Sequence, residues 1–178
     1  METGTAFLTQ SREYLTAHYL PKIQAALEQL DEADLWWRPN PASNAIGNLM
    51  LHLAGNIRQW IVGGVGQRPN DRDRPAEFAA TAGRSRRDLL ALLTEAVLEV
   101  DQVLARTDPA SLHERREIQG RECSVLEAIY HVVEHFGMHT GQILYIAKLR
   151  TGKDLEFYQL EEGIPRASWP GKPSGGSA

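Results

Sequence analysis

The sequence predicts an all-α protein built as a four-helix bundle. Three observations carry that expectation. Four stretches of apolar residues recur at helical spacing, strand-like alternation is nearly absent, and Pro, Gly or capping residues separate the stretches. With 178 residues and 42% apolar content, the chain is one domain able to bury a real core.

Helix one is expected from about Thr5 to Gln29, where Phe7, Tyr14, Leu15, His18, Ile23, Ala26, Leu27 and Leu30 share a face. Pro21 falls inside it and should kink or split it. A connection from Asp31 to Pro41 carries Trp36 and Trp37, expected to plug one end of the bundle. Ser43 or Asn44 can cap helix two, Ala45 to about Val62, and Gly63-Gly64-Val65-Gly66 should end it. Its apolar stripe is Ile46, Leu49, Leu53, Ile57 and Trp60, and beside that stripe Asn48, His52 and Asn56 follow one another four apart. A long polar loop, Gln67 to about Gly83, suits a functional or mobile role and permits a crossover connection.

Helix three is expected from Ser85 to Arg106, on Leu89, Leu92, Leu93, Ala96, Val97, Val100, Val103 and Leu104. Asp108 to Glu122 reads as irregular or hairpin-like chain turning at Gly120. Ser124 and Glu127 form a capping box that opens helix four, which runs to about Arg150 and stops at Gly152. The helical domain is assigned to residues 1–162. Residues 163–178 are a Gly/Ser/Pro-rich tail, with Trp169 as its anchor and Gly171 to Ala178 expected to be disordered.

A net charge of −4 argues against a nucleic-acid surface, which needs a basic face. A single cysteine precludes an intramolecular disulfide and suits a reducing cytoplasm. Met1 to Thr5 lacks a signal peptide's basic start, and no stretch nears 18 apolar residues, so a cytoplasmic protein without a membrane partner is expected.

Three of the six histidines, His131, His135 and His139, sit in nine residues, four apart each time. Four helical residues advance about 400° and rise about 6 Å, so these imidazoles stack on one face. Burying them without partners would cost roughly 1–3 kcal/mol each. A metal would satisfy them; a solvated, hydrogen-bonded face would also account for the spacing.

Asn48-Leu49-Met50-Leu51-His52-Leu53, the following Trp60, and His135-Phe136-Gly137-Met138-His139-Thr140-Gly141-Gln142-Ile143 closely resemble the DinB/YfiT-like superfamily. The resemblance extends from the first helix to about Arg150. It implies a four-helix bundle with a crossover, often dimeric, whose divalent metal is held by one histidine of the second helix and two of the fourth. Those ligands correspond to His52, His135 and His139. His131, one turn before His135, is the candidate catalytic residue, as a general base or a hydrogen-bond partner of a metal water, with a ligand role as the alternative. Asn48, Asn56 and Gln142 lie one turn from proposed ligands and either support them or face solvent.

Three neutral imidazoles suit Zn²⁺, and Ni²⁺ or Fe²⁺ less well, and leave one position open. The open position can hold a water for a hydrolase or a thiol for an S-transferase. The resemblance implies both, since the superfamily includes transferases that use low-molecular-weight thiols. The expected function is a metal-dependent thiol S-transferase of small electrophiles, acting as a homodimer on a small-molecule substrate. A hydrolase, a non-catalytic stress-related metal-binding protein and a metal-free interaction domain are the alternatives. Cys123 reads as a small apolar group. Arg72 and Arg74 bind an anionic substrate or thiol cofactor, pair with Asp71, Asp73 and Glu77, or simply face water.

Overall fold

A computed structural model describes residues 2–170. Helix one starts as α1 (Thr3–Glu13), widens into a π-helical segment (Tyr14–Tyr19) and continues as α2 (Leu20–Glu28). Pro21 therefore does not split it. Proline has no N–H for the carbonyl four residues back, here Ala17. The indole Nε1 of Trp169 donates to that carbonyl instead, at 2.9 Å. The irregular turns and the distant tryptophan together absorb the proline.

Helix two is α3 (Ile46–Ile57) followed by a π-helical segment (Arg58–Val65). Gly63 and Gly64 lie inside it, and Gly66 ends it. Neither Ser43 nor Asn44 caps its start. Ala45 is the first flanking residue, and the side chain of Asn48 reaches back to accept its N–H at 3.1 Å. The following loop holds a short helix, α4 (Arg74–Ala79), which the sequence pattern did not reveal. Asp73 caps it by accepting the Ala76 N–H. Helix three is α5 (Arg86–Arg106), capped by Ser85. Helix four is α6 (Val125–Thr151), opened by the Ser124/Glu127 box and closed by Gly152 in the left-handed region, φ 65°.

Among the described residues, two antiparallel hairpins decorate the bundle. Strands β1 (Arg115–Ile118) and β2 (Arg121–Ser124) meet at Gln119-Gly120. Both turn residues have positive φ, as a twisted two-residue hairpin requires. Strands β3 (Tyr158–Glu161) and β4 (Ile164–Ala167) turn likewise at Glu162-Gly163, so the expected boundary between residues 162 and 163 falls inside a hairpin. Trp169 beyond it is buried, as an anchor should be. The expectation of disorder for Gly171 to Ala178 lies outside the described residues.

Helix one packs on α5 and α6, and helix two packs on the same two helices. Helices one and two therefore face each other across the bundle, as do three and four. The diagonal steps are made by the connections from helix one to two and from three to four, not by the long loop from two to three. Phe136, Leu15, Ile23, Leu27, Leu49, Leu53, Ile57 and Leu89 are among the fully buried side chains. Each such burial contributes about 1.5–3 kcal/mol. Trp36 lies over Gly47, where a Cβ would collide with its ring, and Arg150 stacks 4.8 Å from the Trp37 ring. Among the described residues, no helix is long and apolar enough to cross a membrane.

Candidate metal centre

Because helices two and four are neighbours, His52 on α3 meets His135 and His139 on α6. The Nε2 atoms of His52 and His135 are 3.2 Å apart, and those of His139 and His135 are 3.1 Å apart. All three residues offer a nitrogen within 4.8 Å of the others'. His52 and His139 are buried and His135 is half-buried. Donors on 2.0–2.1 Å arms of a tetrahedral metal lie about 3.3 Å apart, so the cluster has the right size for one ion.

The outer nitrogens fix which face each ring presents. His52 Nδ1 lies 2.9 Å from Glu77 Oε2, and His139 Nδ1 lies 2.7 Å from Gln142 Oε1. Both partners accept, so both Nδ1 atoms carry the proton and both Nε2 lone pairs point inward. His135 Nδ1 is buried with no partner. A proton on His135 Nε2 can satisfy only one of the two lone pairs facing it. A proton on its Nδ1 leaves three lone pairs converging. Either tautomer leaves a buried nitrogen unsatisfied, whereas one cation satisfies all three Nε2 atoms. His52, His135 and His139 could therefore hold a metal ion.

Electrostatics point the same way. Burial, reinforced by His139, His52 and nearby charges, holds His135 down to about 3, so it is neutral at pH 7. Burial also lowers His139, against the opposing bond to Gln142. Neutral imidazoles are the form that binds metals.

Behind His52 stands a group that spacing did not reveal. Burial pushes the Glu77 carboxyl up, but hydrogen bonds from Arg72 and His52 outweigh it and leave Glu77 below its ordinary value. Arg72 Nε donates to Glu77 Oε1 at 2.6 Å, and Arg72 Nη2 donates to Oε2 at 2.8 Å. Arg72 Nη1 donates to Gln59 Oε1 at 2.9 Å. Of the expectations for Arg72, pairing with Glu77 is the one realised. Arg74 stacks 5.0 Å from Phe78, whose ring lies 4.7 Å from that of His52. Glu77 follows His52 by 25 residues, so no local pattern joins them. The one sequence signal is Gly55, a glycine inside a helix three residues after His52. Such a glycine marks close approach of another group, and a Cβ there would strike Glu77 Oε1.

The other candidates divide. Gln142 supports His139 as expected. Asn48 touches no ligand; it donates to the carbonyls of Glu77 and Ala80, at 2.9 and 2.7 Å, and so pins α4 to helix two. Asn56 is buried, with its Oδ1 unpartnered. The His131 ring packs 4.4 Å from Trp60 and 5.3 Å from His135, outside the converging nitrogens. Burial lowers its pKa too. Cys123 is half-buried in β2 and packs on the core, and burial raises its thiol, consistent with an apolar role.

A family described as "Protein of unknown function (DUF1572)" matches residues 2–165. No curated protein matches the chain. Among solved structures, the conserved protein of a locus from Enterococcus faecalis is similar, with a TM-score of 0.62 and 17% identity. The match covers 86% of this chain and 99% of that one. At that identity the likeness is one of fold alone.

Proposed function

The chain belongs to the DUF1572 family, and from that premise and the histidine cluster we propose that it is a metal-dependent thiol S-transferase acting on small electrophiles. His52, His135 and His139 hold one divalent ion, Zn²⁺ in preference to Ni²⁺ or Fe²⁺, since neutral imidazoles without a carboxylate ligand suit it best. The observation that carries this reading is the convergence of three buried or half-buried Nε2 atoms, two of them aimed inward by bonds to Glu77 and Gln142.

The ion would supply a Lewis acid with an open position, able to lower the pKa of a thiol or water. The chain's own residues do the rest. Glu77 and Gln142 hold two ligand rings in one tautomer. His131, neutral and packed on Trp60 one turn from His135, would accept the thiol proton as general base. The sulfur then forms its bond to the electrophilic carbon while the leaving group departs with its electron pair.

The test is metal content of protein purified without a histidine tag, wild type beside His139→Ala, followed by thiol consumption with a chloronitrobenzene electrophile. Near one ion per chain, lost in the variant, with metal-dependent conjugation weakened in His131→Ala, is the expected result. Metal without conjugation but with ester hydrolysis would replace the transferase by a hydrolase. Metal with neither activity would leave a binding protein. A wild type that carries no metal and gains none from Zn²⁺ or Ni²⁺ would overturn the site itself.

A further inference from the structure

The ion pair behind His52 is not part of the four-helix frame. Glu77 belongs to α4 and Arg72 to the chain just before it, within the long connection from helix two to helix three. Yet their side chains are more deeply buried than most charged groups: Arg72 is 3% exposed and Glu77 9%. The pair occupies a seat on helix two that exists because residue 55 is glycine. A Cβ there would strike Glu77 Oε1 and come within 2.9 Å of Arg72 Nε. Asn48 holds the far side of the segment through the Glu77 and Ala80 carbonyls, and Arg38 adds a bond to Ala80 at 3.0 Å.

Every oxygen of Glu77 is used: Oε1 by Arg72, Oε2 by Arg72 and by the His52 Nδ1–H. The loop thus meets the histidine cluster at His52, through Glu77, Arg72 and the Phe78 ring, and the bond to Glu77 selects the tautomer in which His52 can bind a cation. An Nε2 lone pair on His52 requires the proton on Nδ1, and a proton on Nδ1 requires an acceptor. Among the described residues Glu77 provides it, since the other group near Nδ1, Arg72 Nη2 at 3.0 Å, has no acceptor.

We propose that the segment from Arg72 to Ala80 is a metal-responsive latch, in which docking of Glu77 on His52 and occupancy of the three-histidine site strengthen each other. This rests on the metal reading above. Glu77 and Arg72 are positioning residues, since neither touches the ion. The coupling is reciprocal by necessity: if the docked loop raises affinity for the ion, the ion raises the population of the docked loop by the same factor. Removing a partner that orients a ligating histidine typically weakens metal binding 10–100-fold.

Hydrogen exchange on the full chain, metal-free and with Zn²⁺, reads the loop; competition with a chromophoric chelator reads affinity. Zn²⁺ should slow exchange in residues 72–80 while leaving the β1–β2 hairpin unchanged. Glu77→Ala removes the acceptor of the His52 Nδ1–H and should lower Zn²⁺ affinity about 10–100-fold. Gly55→Ala keeps both charged residues but denies them their seat, and should lower affinity in the same range. It also places a better helix former in α3, so it keeps the test sound should Glu77→Ala fold poorly. Zn²⁺ bound equally by wild type and both variants, with exchange in 72–80 unmoved, overturns the latch and leaves the metal site standing. Failure of the wild type to bind Zn²⁺ removes the metal site, and the latch with it.

Discussion

The Arg72–Glu77 pair and the Arg115–Glu122 pair have similar contacts and opposite surroundings. The first closes at 2.6 Å with side chains 3% and 9% exposed, the second at 2.9 Å with side chains 54% and 70% exposed. Water and salt screen the hairpin pair, so each of its members is content alone. Behind His52 there is little water to replace a lost partner, and each charge depends on the other. An ion pair can orient a functional side chain only in the second kind of setting. That is why the loop pair belongs to the candidate site and the hairpin pair is decoration.

The comparison is broken most directly at Arg72. Arg72→Ala strands a buried carboxylate and should destabilise the metal-free protein by about 3–5 kcal/mol in urea denaturation. A loss no larger than that of Arg115→Ala would erase the distinction between the two regions. Next in size is the metal itself. Free Zn²⁺ at one hundred times its dissociation constant should stabilise the wild type by about 2.7 kcal/mol and do nothing for His139→Ala, read as the shift in melting midpoint.

Acid provides the third test. His135 has an ordinary pKa of 6.5 and a folded value of about 3. Between these values the unfolded chain takes up a proton that the folded chain refuses. The stability this group contributes is therefore complete above pH 6.5 and lost progressively as pH falls toward 3, at no more than about 1.4 kcal/mol per pH unit for one proton. Metal-free melts from pH 4 to 8 should slope in that direction, and a flat profile would contradict the neutral state of His135. A smaller effect is expected at Trp169→Phe, which removes the donor to Ala17 and should cost about 1 kcal/mol. Smallest of all, Arg115→Ala should leave the melting midpoint unchanged within error.

Much of the fold was legible because it is written in short-range chemistry. The Ser124/Glu127 box, the turn at Gly120 and the stop at Gly152 all act within a few residues, and each stands where the pattern placed it. The π-helical segments were not legible, because they depend on how Pro21 and the end of helix two fit against other elements. The β3–β4 hairpin had a signal in Glu162-Gly163, masked by the Gly- and Pro-rich composition that follows. The arrangement of the helices was also hidden: amphipathic stripes say that four helices bury a face, not which pairs are diagonal.

The candidate site divides along the same line. The spacing of His135 and His139 by itself determined that their rings share a face, and Gln142, three residues on, lies within reach of His139 by helix geometry alone. The meeting of His52 with His135 across 83 residues, and of Glu77 with His52 across 25, was decided only by tertiary structure. The same is true of Trp169 and Ala17, 152 residues apart. Helical periodicity determines which side a residue occupies because each turn repeats the same backbone bonds. It carries no information about which other surface that side will meet, and that choice was made by packing four apolar faces into one core, with Gly55 leaving room for the loop that reaches the cluster.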